Sequence, residues 1–496
     1  MPFPSAGCQT CKVRRIKCDE TRPTCQRCLM SRRLCHGMTA LAAVHDENIY
    51  ASGQQKRPRG PRSSLKERAA VGLDLSLSDN LVELKTQAIL YYMHHYLKAP
   101  KSTPKVLKAL SEDYLTAWVS KIDSPLIELA VSCMALAIFA RTQKHPPAAL
   151  QASITYHRLL QLARTSMPSL LVHNTDICLL AIFFMSRYED AIYDPTQPDP
   201  HGQNVRSFRH HDGALSILRM WKDRLSFDQP ATEIMKYTRR GMIKSALLRK
   251  LALPQWISDG ITFGERGLEL EYDRIIVRLV NLRRQIFALL EDENTPSASA
   301  AAQLAREAET IDRDLRQWAL HFPSTWSYQR YTIAEMDEFP SRDYFSPTIY
   351  SYSSLAHAAV WNQYHSTRML TLSTRIRILG TGHLRVDEAA ERERMDCLSC
   401  VEDVAEDFAR SLPYSLERFA MVDQSGSSSR IITPRSTEAI RPYFASLTIW
   451  PLSLASSLEN VNCKQASWLR ALLTRLGEMS GYGVLAASDN NHWKRL

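Results

Sequence analysis

The stretch Cys8–Cys35 reads CQTCKVRRIKC, DETRPT, CQRCLMSRRLC. Its six cysteines, Cys8, Cys11, Cys18, Cys25, Cys28 and Cys35, form C-x2-C-x6-C twice over, joined by six residues. Zinc takes four tetrahedral ligands, and thiolate is among the preferred ones. Two cysteines two residues apart can close on one ion. Six sulfurs can fill one site and leave two over, or serve two ions if two sulfurs are shared. Two tetrahedral ions need eight metal–sulfur bonds, and the repeat favours this second arrangement, because each half supplies three ligands. Three disulfides are the alternative, but disulfide modules belong to secreted chains. A thiol oxidoreductase pair would need a strand–turn–helix setting that neither CxxC has.

The residues between the cysteines show what such a centre touches. Six thiolates and two Zn²⁺ carry a net −2. The first x6 segment, Lys12–Lys17, holds four cations in six positions, while Leu29–Leu34 holds only Arg32 and Arg33. A basic face therefore remains on the first half, with arginine forks able to read guanine edges. The plain alternative is a solvated charge run. A metal centre weakens that alternative by holding these cations rigid.

The spacing, the basic run after Cys11 and Pro23 in the connector together resemble the fungal Zn₂Cys₆ binuclear-cluster transcription factors. The resemblance covers about the first 35 residues. It implies a small module of two short helices holding two Zn²⁺ ions through all six cysteines, with Cys8 and Cys25 bridging. It also implies a helix entering the major groove of double-stranded DNA, where Arg14 and Arg15 reach bases and Lys12 and Lys17 hold phosphates. CGG is the triplet expected by default. Relatives often carry lysine at the base-reading positions, so arginine here puts triplet preference in question. The function so implied is zinc-dependent, sequence-specific regulation of RNA polymerase II transcription in the nucleus. A zinc-stapled module docking acidic proteins or RNA on a helical scaffold is the alternative reading.

The rest of the chain fits a reader attached to a large body. Of the net charge of +10, residues 1–68 hold +9, with fourteen Lys and Arg against five acids. A basic end on a near-neutral body points to a localised polyanion contact. Residues 1–7 lack the apolar stretch of a signal peptide. The most apolar runs, Leu129–Ala140 and Ile177–Met185, fall short of the ~20 residues a membrane helix needs. An intracellular protein without a membrane partner is expected, and reduced thiols suit zinc there.

Three parts are expected: a cluster domain over residues 1–38, a basic flexible linker over 39–78 and an all-helical domain over 79–496. The linker run Gln54–Arg68 is rich in Lys, Arg, Pro, Gly and Ser and cannot bury a core. Its cations fit phosphate contacts or a nuclear import signal, or else simple solvation. No apolar heptad is sustained over three repeats, so homodimerisation stays open with no zipper evident.

Helical spacing runs from Asp79 through a dozen segments, among them Lys105–Ile122, Ser124–Thr142, Pro147–Thr165, Thr232–Leu251 and Ser353–Ile378. Tyr193–Asn204, the aromatic Phe322–Tyr352 and Asp423–Ser436 read as loops. Within RHHDGALSILRMW (Arg209–Trp221), His210, Gly213 and Ala214 resemble the H-x-x-G-A motif of the fungal-specific regulatory domain. That likeness implies an effector or co-regulator partner, although small residues in a helix more often mark close packing.

Catalysis has no sequence support. The chain holds no H-E-x-x-H, Walker loop, G-x-S-x-G elbow or Rossmann glycine fingerprint, so no catalytic residue is assigned. Cys397 and Cys400 form a further CxxC on a helical pattern without a second pair and read as structural cysteines.

Overall fold

The computed structural model describes residues 7–8, 10–11, 14, 16–21, 24–31, 33, 35, 74–96, 123–195, 206–224, 230–291, 298–333, 338–381, 387–423, 430–435 and 439–488. The expected helix Lys105–Ile122 and nearly all of the linker lie outside these residues. The chain divides into two compact units, Met1–Ser76 and Leu77–Leu496. In the first, the described helix is α1 (Gln26–Met30).

The second unit is predominantly helical. Its long helices are α2 (Asp74–Tyr96), α3 (Pro125–Thr142), α4 (Pro146–His173), α5 (Thr175–Ile192), α6 (Phe208–Asp223) and α7 (Glu233–Arg249). They continue with α8 (Gly267–Glu291), α9 (Ala298–Leu320), α10 (Leu355–Leu379), α11 (Glu388–Ser415), α12 (Pro442–Ser456) and α13 (Cys463–Met479). Most expected starts and stops fall close to these, because they rest on local chemistry, although α4 runs eight residues past its expected end at Thr165. Pro125 and Pro146 open α3 and α4 at the first helical turn, where a missing N–H costs nothing. Asn174 and Thr232 cap α5 and α7 by accepting from Ile177 and Met235 N–H.

Two helices act as hubs. Thirteen of the eighteen residues of α3 are buried. Its length and apolar composition would let it cross a bilayer, but here α4, α5 and, more lightly, α13 cover it. A helix apolar on all sides is a core helix when other helices surround it. The second hub, α10, packs against α9, α11 and α12 and is buried over nineteen of its twenty-five residues. Eight of those are polar, and most of the eight find partners. Asn362 Nδ2 donates to Ser415 Oγ at 2.8 Å, and Thr371 and Thr374 donate to carbonyls one turn back. Thr367 Oγ1 lies 2.9 Å from Tyr272 Oη, to which Gln363 also donates. Buried polar groups are tolerated when so paired.

Two antiparallel hairpins interrupt the helices where sequence reading placed loops. β1 (Tyr328–Thr332) pairs with β2 (Thr348–Tyr352), and β3 (Phe419–Asp423) pairs with β4 (Arg430–Pro434). β2 is buried from Ile349 to Tyr352 without alternation, and residues 333–347 separate it from β1, so no tight-turn signal marks the pair. The aromatic stretch covers the core, as expected: Tyr328 stacks on Tyr350 at 4.2 Å and meets the Trp361 edge at 5.2 Å.

The histidine–glycine motif lies on α6. His210 Nε2 pairs with Tyr156 Oη at 2.9 Å, while His211 bridges Ser186 Oγ (3.2 Å) and Ser245 Oγ (2.9 Å). Burial pushes both imidazoles down to about 4, so both are neutral near pH 7. Ala214 is buried, yet a Cβ on Gly213 would meet Ile182 Cδ1 at an ordinary 3.5 Å. Packing therefore explains the alanine but does not require the glycine. Cys397 is buried, which pushes its thiol up to about 11, and Cys400 is half-buried. Both are free, as expected.

A buried ionic knot ties α7 to α8. Arg239 is fully buried and donates to Asp273 Oδ2 at 2.6 Å and to the carbonyls of Ile257 and Ser258. Neighbouring Arg240 reaches Glu265 at 2.6 Å and Glu269 at 2.9 Å. Removing one member of a buried pair strands the other charge. Asp273→Ala is expected to lower stability by about 3–5 kcal/mol, read as an earlier urea-unfolding midpoint of the full chain. An unchanged midpoint would contradict the burial of this pair.

Candidate metal centre and nucleic-acid interface

The six cysteines of the N-terminal unit are all free, and Cys8, Cys11, Cys25 and Cys28 are buried against one another. Each CxxC is shaped by the same local bond. The N–H of Cys11 donates to Cys8 Sγ at 3.4 Å, and the N–H of Cys28 donates to Cys25 Sγ at 3.4 Å. A single helical turn thus brings both sulfurs of a pair to one side. Across the halves, Cys8 Sγ lies 3.6 Å from Cys25 Sγ and 3.7 Å from Cys28 Sγ.

The sulfurs fall into two sets of four. One is Cys8, Cys11, Cys18 and Cys25; the other is Cys8, Cys25, Cys28 and Cys35. Within each set every sulfur lies within 4.8 Å of the others. Cys8 and Cys25 belong to both, and they are the pair that the resemblance implied as bridges. A Zn–S bond of about 2.3 Å places tetrahedral sulfurs about 3.8 Å apart, so the cross-half spacings fit. Two sets sharing two members also supply the eight bonds that two tetrahedral ions need. Desolvation among the crowded sulfurs pushes the Cys11 thiol up. The N–H groups of Cys8 and Glu20, both donating to Cys18 Sγ, pull that thiol down.

Two residues that sequence reading passed over hold this arrangement. A Cβ on Gly7 would lie 2.7 Å from Cys18 Cβ, so only glycine allows the chain to pass there. Asp19 caps α1 from across the connector. Its Oδ1 accepts from Gln26 N–H at 3.0 Å and its Oδ2 from Arg27 N–H at 2.9 Å. Bonds from Thr21, Arg27 and Gln26 hold the Asp19 carboxyl well below the usual carboxylate range. A cap this far from its helix in sequence has no local signature; the usual signal sits at the residue just before the helix.

Of the expected nucleic-acid contacts, Arg14 and Lys17 are exposed on the segment after Cys11. Arg14 donates from its backbone to Thr10 O at 3.2 Å, which continues the helical turn. Its Nη1 lies 3.4 Å from Ser31 Oγ, on the second half. Lys12 and Arg15 lie outside the described residues.

Residues 6–40 match the fungal Zn(2)-Cys(6) binuclear cluster domain. The N-terminal segment of this chain is such a domain. Zinc, two ions per chain, is the cofactor that the cluster domain takes, and the two four-sulfur sets accommodate that number. The chain is 42% identical over 60 residues to the aspercryptin biosynthesis cluster-specific transcription regulator of Emericella nidulans, covering 12% of this chain and 8% of that protein. It is 59% identical over 61 residues to transcription factor lfc1 of Flammulina velutipes, covering 12% and 22%. It is 54% identical over 73 residues to transcriptional regulatory protein moc3 of Schizosaccharomyces pombe, covering 13% and 14%. The chain thus spans less than a quarter of the length of each of these relatives. No solved structure matches it.

Sharing of Cys8 and Cys25 has a measurable signature. Cys25→Ala in the full chain is expected to lose both zinc ions, because both sets lose a ligand. Cys18→Ala breaks one set and is expected to retain close to one ion. Metal content per chain by mass spectrometry separates the two, and equal losses would rule out the sharing.

Proposed function

We propose that this protein is a DNA-binding regulator of RNA polymerase II transcription acting in the nucleus, with the cluster domain as its reader. The observation that carries this reading is the pair of four-sulfur sets meeting at Cys8 and Cys25, with the exposed cations Arg14 and Lys17 on the segment between Cys11 and Cys18. A segment of this size has little apolar core, and metal binding supplies the free energy that folds such modules. Cys8, Cys11, Cys18, Cys25, Cys28 and Cys35 are the ligands. When bound, zinc supplies structure rather than chemistry: it fixes the turn that carries the basic residues.

That turn enters the major groove of a CGG-like triplet. Arg14 and Arg15 face bases, where the guanidinium fork matches O6 and N7 of guanine. Lys12 and Lys17 face phosphates, which position the reader without specifying sequence. Names of relatives that include "transcription factor" and "transcription regulator" support the same reading.

Two variants separate the roles. In selection from random duplexes by the zinc-loaded full chain, a CGG-like triplet is expected to enrich. Arg15→Ala keeps its zinc but loses about 1–3 kcal/mol of discrimination at one base pair. Lys17→Ala weakens binding to all sequences alike and reduces the salt slope by about 1. Retained site selection in a zinc-loaded Arg15→Ala protein would remove that residue from base reading. Two zinc ions with no enriched sequence would move the partner from DNA to protein or RNA.

A further inference from the structure

The helical unit encloses a cavity of about 310 Å³ among α5, α6, α7 and α12. A smaller one of about 100 Å³ adjoins it between α7, α8 and α10. The two share Tyr237, Gly241, Lys244, Gln363 and Trp450, which form the waist between them. Apolar side chains, among them Leu179, Ile182, Met242 and Leu447, make much of the larger wall. Aromatic rings flank the waist, with Phe183 on one side and Trp318 and Trp326 on the other.

Among the described residues, several charged groups around this space have partners. Arg187 is paired with Asp190 at 4.0 Å and lies against the Phe183 and Tyr482 rings. His211 is neutral and held by Ser186 and Ser245. In the smaller lobe, Asp273 and Glu269 are engaged by Arg239 and Arg240. Lys244, by contrast, makes no ion pair among the described residues. Its Nζ rests 5.0 Å from the centroid of the Trp450 ring. Burial, then Arg240 and Arg187, push its amine down to about 8, against the opposing pull of the Asp273 carboxylate. An ammonium with no ion pair among the described residues therefore lines an apolar, aromatic space.

Gly241 makes the waist passable. It lies inside α7, where glycine is unfavourable, and a Cβ built there meets nothing within 4 Å. Packing thus gives no reason for glycine at this position, whereas a larger side chain would grow into the waist. Of the H-x-x-G-A residues only Ala214 lines the same space, beside His211, the neighbour of His210.

We propose that the larger cavity binds a small aromatic carboxylate, whose anionic group meets Lys244. A carboxylate supplies the ion pair that Lys244 lacks among the described residues. A flat apolar body replaces water along the aromatic walls. A charge-assisted bond in a water-poor site is stronger than the same bond at a surface. This inference does not depend on the reading of the cluster domain as a DNA reader.

The test is calorimetric titration of the full chain with 2-naphthoate and with its neutral isostere 2-naphthamide. One 2-naphthoate is expected per chain, bound at least tenfold more tightly than 2-naphthamide. Lys244→Met is expected to remove that preference while leaving 2-naphthamide binding unchanged. Gly241→Leu fills the waist and is expected to abolish binding of both probes. Gly241→Ala keeps binding and raises the Tm, which separates occlusion from damage to α7. The proposal fails if 2-naphthoate gives no binding at millimolar concentration or binds no better than the amide. It fails equally if 2-naphthoate retains its affinity in Lys244→Met or in Gly241→Leu.

Discussion

A segment of about thirty residues cannot hold itself together by apolar burial, because too little of its surface is removed from water. In this protein the N-terminal unit answers that constraint with sulfur. Four of its six cysteines are buried, chiefly against one another, and the only partly buried aliphatic side chain beside them among the described residues is Ile16. Each remaining feature serves the placement of those sulfurs. Gly7 lets the chain pass Cys18, Asp19 ties the connector to α1, and backbone N–H groups point at three of the sulfurs. Arg14 and Lys17, the described basic residues after Cys11, are positioned as a by-product.

The helical unit solves the opposite problem. With some four hundred residues it has ample apolar surface, and it organises that surface around two buried helices of different character. The α3 hub is apolar on every side and packs by volume. The α10 hub is rich in Ser, Thr, Asn and Gln, each of which must find an acceptor or donor at a defined place. Polar contacts of that kind fix rotation and register more narrowly than apolar packing does. The Arg239–Asp273 pair does the same for α7 against α8, and so holds one wall of the waist at which Lys244 lies.

Much of this was legible in the sequence, for reasons that differ by feature. The cysteine spacing is a local pattern whose geometry follows from covalent reach. Long helices announce themselves through periodicity and caps, so α3 and α7 sit within a few residues of their expected ends. The hairpins were missed because their strands lack alternation or a tight turn and are held by tertiary contacts, such as Tyr352 Oη donating to Ser411 Oγ. Gly7 and Asp19 act on residues seven to eleven positions away, beyond any helical or strand period. The cavity was unreadable, since its walls come from helices more than two hundred residues apart.

The apolar helix α3 has a bearing on how the chain emerges from the ribosome. Its main cover, α4 and α5, follows directly in sequence, ending at Ile192, so most of its surface is shielded by segments synthesised within the next fifty residues. Local pairings of this kind form fast and early. The lighter cover from α13 arrives only after residue 463, nearly three hundred residues later. A nascent chain therefore has α3 largely covered once α5 is made, and completes that cover only when α13 arrives.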